Sequence, residues 1–238
     1  MKNKAKQYTF IALVLVIIVF SLYFFVFNRK LNLNIVTYLP NTQVIINREK
    51  SIYNSEENKI ITTSLKKGDY EIIVAKEGYF PWTKKIELED KDVTLEPFMV
   101  SQYPSGQIIN ENDPEYFDIK NKISTEKIPT LDNPKISKDN STKIWVSNKD
   151  EISFKTDSGS GLIIKSDTPI KNVEFYKDRN DVIIFSTEKN VYAMDIYDSY
   201  NIRNFMPVYT GTDPDFITGD DPNFIYVKDT NSLMIVMI

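Results

Sequence analysis

The sequence predicts an all-β ectodomain carried behind one N-terminal transmembrane helix. Alanine occurs only at Ala5, Ala12, Ala75 and Ala193 while Ile, Val, Tyr, Phe and Thr abound, so strong helix formers are scarce and β-favouring residues dominate. Residues Thr9 to Phe27, TFIALVLVIIVFSLYFFVF, form an uncharged apolar run of nineteen. Beyond it, short alternating apolar stretches are broken at close intervals by Gly, Pro, Asn and Asp.

The apolar run comes first. A helix rising about 1.5 Å per residue over that length crosses most of a hydrocarbon core about 30 Å thick. Lys2, Lys4 and Lys6 precede it, Arg29 and Lys30 follow it, and the slight excess before it favours a cytoplasmic amino terminus. A cleaved secretory leader has a shorter apolar core and leaves through small residues, whereas this run leaves through SLYFFVFNRK. We therefore expect a cytoplasmic tail over 1–7, an uncleaved membrane helix over 8–28 with lipid around Thr9 to Phe27, and an extracytoplasmic remainder. A buried core helix is the other reading, but an all-apolar helix needs protein on every side and the rest of the chain reads as strands.

Composition then excludes much chemistry. With 42% hydrophobic and 13% aromatic residues, the chain can bury a sizeable core. It has no cysteine and no histidine, which removes disulfides, Ser-His-Asp and Cys-His catalysis, and zinc sites built on those ligands. Beyond Lys30, 24 basic residues face 33 acidic ones, a net of −9 and a poor match for nucleic acid.

Residues 31–100 read as six or so short strands, enough for a small sandwich. LNLNIVTY places Leu31, Leu33 and Ile35 on one side, TQVIIN follows a Pro40-Asn41 turn, and DYEIIVAK aligns Tyr70, Ile72 and Val74. Trp82, Ile86 and Leu88, then Val93 and Leu95, continue the inward set. Gly68 and Gly78 lie at breaks between strands, where a positive φ relieves a tight turn. A phosphate-cradling loop needs closer glycines and a following helix, so these two turn the chain.

The frame LKKGDYEIIVAKEGYFP from Leu65 to Pro81, with YLPNTQVIIN before it and KKIELEDKDVTLEP after it, resembles a PEGA domain over roughly Leu31 to Pro97. The eponymous tetrapeptide reads Pro40-Asn41-Thr42-Gln43 and keeps only the proline. The resemblance implies an extracytoplasmic, non-catalytic β-sandwich module and supplies no ligand residues.

Residues 101–133 are rich in Pro, Asn, Asp and Ser and read as a linker or irregular segment. After them KISKDNSTKIWVS, EFYKDRNDVIIFS and FITGDDPNFIYVK line up, each with a polar turn, at Asp139, Asp178 and Asp220, leading into an apolar strand. A period near 40 is the length of a propeller blade, and 134–238 is similar to WD40-like and TolB-like β-propeller repeats. Three repeats fall short of a closed ring unless 98–133 adds a fourth, so a partial propeller or a second β-meander or sandwich stays open.

The candidate sites each carry a plainer alternative. Asp213, Asp215, Asp220 and Asp221 could offer oxygen ligands to calcium, but Asp beside Pro and Gly commonly caps its own turn. Tyr79, Phe80 and Trp82 could stack on a sugar or peptide, but half of such a strand faces inward. Ser160, between Gly159 and Gly161, has no histidine to act as base, and Asn140-Ser141-Thr142 is a sequon by pattern alone. We expect no cofactor and no catalytic residue. The reading is a non-enzymatic envelope module binding a protein or glycan at the cell surface; the alternative is a carboxylate-dependent hydrolase or an accessory subunit of an envelope enzyme.

Overall fold

A computed structural model of the chain describes residues 13–20, 29–197, 202–221 and 223–238. Residues 13–20 are helical with their apolar side chains exposed. The rest of the expected membrane span, and the expected tail at 1–7, lie outside the described residues. Among those described, no helix is long and apolar enough to cross a membrane.

The fold beyond residue 29 is built of strands, as composition requires. It divides into two compact units. The described residues up to Ile72 with Lys85–Pro97 form one, and Ile73–Lys84 with Phe98–Ile238 form the other. The first seven strands are β1 (Lys30–Thr37), β2 (Thr42–Ile46), β3 (Lys50–Asn54), β4 (Lys59–Lys66), β5 (Gly68–Ala75), β6 (Trp82–Leu88) and β7 (Val93–Leu95). They make two sheets, in orders β4-β1-β7 and β3-β2-β5-β6. β1 runs antiparallel to β4 along its whole length and parallel to β7.

Period-two patterning decides which face each strand buries. Leu31, Leu33 and Ile35 of β1 are buried while Asn32 and Asn34 between them face outward and bond Ser64 and Thr62 across the pair, each at 2.9 Å. Val44, Ile46, Ile72, Val74, Trp82, Ile86, Leu88 and Leu95 are likewise buried, and Tyr70 and Val93 are half-buried or nearly so. Each sheet thus has one apolar face, the arrangement of a β-sandwich. Gly68 and Gly78 adopt φ of 144° and 79°, conformations that only glycine takes freely.

The remaining strands are β8 (Gly106–Ile109), β9 (Lys135–Ile136), β10 (Thr142–Ser147), β11 (Glu151–Thr156), β12 (Gly159–Lys165), β13 (Asn172–Phe175), β14 (Val182–Ser186), β15 (Asn190–Asp195), β16 (Phe205–Thr210), β17 (Pro214–Thr218), β18 (Phe224–Asp229) and β19 (Ser232–Met237). They form three four-stranded antiparallel sheets, ordered β12-β11-β10-β9, β13-β14-β15-β16 and β17-β18-β19-β8. Each of the first two is a meander of consecutive hairpins. The third takes its fourth strand from β8, far back in sequence, with Ile109 opposite Leu233. None of these sheets closes on itself among the described residues.

Segment 101–133 holds β8 and a helix, α1 (Tyr116–Thr125). Glu115 is the N-cap, and Asp113 closes the turn before it: its carboxylate accepts the Asn110 N–H at 2.6 Å, and its carbonyl accepts the Tyr116 N–H. Tyr116, Ile119 and Ile123 fall on one face and pack with Ile109 and Leu233 against the third sheet. The first two sheets bury Ile144, Ile152, Val173, Ile183, Phe185 and Met194 in a common core.

Candidate functional site

The PEGA-like frame ends in the β5–β6 turn, where the aromatic candidates sit. Gly78 lets the chain double back, so that the Tyr79 N–H reaches the Lys76 carbonyl at 3.1 Å and the Lys76 ammonium lies 5.5 Å from the Tyr79 ring centre. The turn is laced to residues 100–102 by Phe80 N–H to Val100 C=O (2.9 Å) and Gln102 N–H to Gly78 C=O (2.8 Å). Tyr79 and Phe80 are half-buried. Trp82 is only 3% exposed, which makes it a core residue with no face to offer a ligand; its indole N–H has no partner among the described residues.

A buried polar knot lies just past Trp82. Asp195 is 2% exposed and accepts the Asn204 backbone N–H at 3.0 Å and its side-chain amide at 2.7 Å. Asn204 in turn donates to the Thr83 carbonyl (2.9 Å) and accepts the Thr83 N–H (2.8 Å), mimicking a strand partner for β6. Burial raises the Asp195 pKa, opposed by Lys84 and by the Asn204 bonds. The sequence signals neither residue, because an isolated Asp at a strand end and an Asn after it look like ordinary punctuation.

The four acids of GTDPDFITGDD do not meet. Asp213 and Asp215 stand at the start of β17, and Asp220 and Asp221 follow its end. Asp213 pairs with Lys171 at 3.0 Å. Asp215 accepts the Ser186 hydroxyl at 3.0 Å, and burial raises its pKa. Asp221 accepts the backbone and side-chain N–H groups of Asn223, both at 2.9 Å, which is the turn-capping geometry. No group of three or more acidic side chains among the described residues is arranged to hold a metal.

The turns at Asp139, Asp178 and Asp221 are joined instead to one another. Asp139 accepts the hydroxyls of Ser137 (2.6 Å) and Ser141 (2.8 Å), the Ser141 N–H, and the Asn180 amide from the next sheet's turn. Led by the Ser137 hydroxyl, these bonds hold its pKa well below the usual carboxylate range. Lys138 returns the contact to Asp178 at 2.6 Å, and Lys177 reaches Asn223 Oδ1 at 3.3 Å in the third turn. Ser160 and Gly161 lie on β12, with Phe154 packed over Gly161 at 3.0 Å from where a Cβ would stand.

Residues 60–99 match the PEGA domain. The PEGA match runs from β4 through β7 and includes the Gly68 and Gly78 turns, so the frame that carries the resemblance is the part matched. It does not reach β1 to β3 or the three four-stranded sheets that follow. No curated protein matches the chain.

Proposed function

We propose that the chain is a membrane-tethered extracytoplasmic module that binds or spaces other components of the cell envelope, without catalysis. The observation that carries this is the nineteen-residue uncharged run Thr9 to Phe27, with lysines before it, ahead of a β-rich region that contains a PEGA match at 60–99. Strand-dense units with side chains bonded to their own turns suit a rigid spacer. The partner is a protein or glycan of the surface; nucleic acid fits poorly with the −9 balance beyond Lys30.

We read 134–238 as propeller-like repeats. The period near 40, the four-stranded meanders and the turn-to-turn bonds through Asp139, Asp178 and Asn223 support that reading. β8 stands to the third sheet as the borrowed strand that joins the two ends of such an array.

Protease added to intact cells tests the placement: digestion of everything beyond Lys30 is expected, and full protection would overturn it. Incubating the detergent-solubilised chain with envelope polysaccharides and peptides tests the absence of catalysis. Product release there would favour the carboxylate hydrolase.

A further inference from the structure

The three four-stranded sheets formed by β8 to β19 have β12, β16 and β8 among their edge strands, and these three are finished differently. In β16, Pro207 removes a backbone donor. β12 is interrupted by a register shift opposite Ile152/Ser153 and ends on Lys165, ion-paired with Glu151 at 3.0 Å. These are the usual guards of a sheet edge. β8, Gly106-Gln107-Ile108-Ile109, carries no proline, no charge and no register shift, and its first three residues are exposed.

The register fixes which backbone groups β8 leaves free. The Met237 N–H donates to the Ser105 carbonyl, so the hydrogen-bonded pairs are Ser105 with Met237, Gln107 with Ile235 and Ile109 with Leu233. Gly106 and Ile108 then turn their N–H and C=O groups away from β19, and no strand lies beyond them among the described residues. Ile108 is 63% exposed. Beside the edge, the start of α1 leaves a notch of about 300 Å³ lined by Ile108, Ile109, Ile235, Pro114, Asp113 and Glu115.

We propose that β8 accepts an added strand from a partner protein: an extended segment that pairs with Gly106 and Ile108, seats one apolar side chain in the notch, and carries lysine or arginine beside it. The charge of the notch selects that occupant. Asp113 and Glu115 line it, and Lys120, the cation that Glu111 acts on, is turned to the Tyr116 hydroxyl at 3.1 Å. Backbone pairing supplies affinity and alternate side chains supply selectivity, as in strand addition generally. The proposal rests on the binding-module reading and names where that binding occurs.

The test uses the full chain in detergent micelles and fluorescence anisotropy of short labelled peptides of alternating lysine and isoleucine. Saturable binding is expected, weakened at least tenfold when lysine is replaced by glutamate or when alternate peptide nitrogens are methylated. Glu115→Lys, at a helix-start position whose side chain makes no cap bond, should weaken the lysine peptide and strengthen the glutamate one. Absence of saturable binding, equal binding of both peptides, or indifference to N-methylation would overturn the proposal. If crosslinked cells still yield a stable envelope complex with the Glu115→Lys variant, the module reading stands and only this edge is lost; if the intact chain captures nothing, the reading itself fails.

Discussion

Gly211 shows how little space a single position leaves. A methyl group there would stand 2.1 Å from the Asp229 carboxylate and 2.8 Å from the Tyr209 ring. Asp229 cannot swing aside freely, because it accepts the N–H groups of Thr212 (3.1 Å) and Asp213 (2.8 Å) and the Tyr209 hydroxyl (3.0 Å), which burial and this carboxylate push up to about 12. Gly211→Ala should therefore lower stability by about 1–3 kcal/mol, the usual cost of overpacking, read as a fall in thermal midpoint. Two carboxylates titrate with opposite sign. Hydrogen bonds depress the Asp139 pKa, so its contribution is present above the unfolded value near 4 and is lost as acid approaches the folded one. Asp139→Asn should thus be less stable than the parent at neutral pH, with the gap closing below about pH 4. Burial raises the Asp195 pKa, so its contribution is fullest below about pH 4 and fades as pH rises through the folded value. Asp195→Asn should gain on the parent as pH rises over that range, in urea unfolding followed by fluorescence. At this scale the sequence was a partial guide. Inward residues such as Leu33 and Ile72 are legible from alternation, but Asp195 and Asn204 meet across β15 and the segment after it, and no local pattern announces that.

The helix and the strand before it are the elements that composition conceals. α1 has only Tyr116, Ile119 and Ile123 on its buried face, set among charged and polar residues and an exposed Phe117, and it follows Asp113 and Pro114, which also read as a turn. Its stability comes from the sheet it covers, so Ile123→Ala should cost about 2–4 kcal/mol despite lying in a short helix. Circular dichroism of that variant should lose helix signal before strand signal on heating. The strands of 31–100 are far more legible, because one-sided burial writes itself as period two. The acidic stretch at 213–221 is the opposite case: adjacency along the chain becomes separation in space, since β17 runs between its two halves.

The whole molecule combines an apolar run near its amino end with an acidic, strand-rich remainder. Alkaline carbonate treatment of membranes should leave the chain in the pellet, and deleting residues 1–30 should release it to the supernatant; release of the intact chain would defeat the tether. In unit two, β8 cannot complete its sheet until β19 exists, because Ile109 pairs with Leu233. Bringing such distant strands together is entropically slow compared with closing the local hairpins of the first two meanders. A polypeptide growing from its amino end would therefore dwell with one sheet a strand short until β19 follows, and chaperone demand should concentrate in that interval.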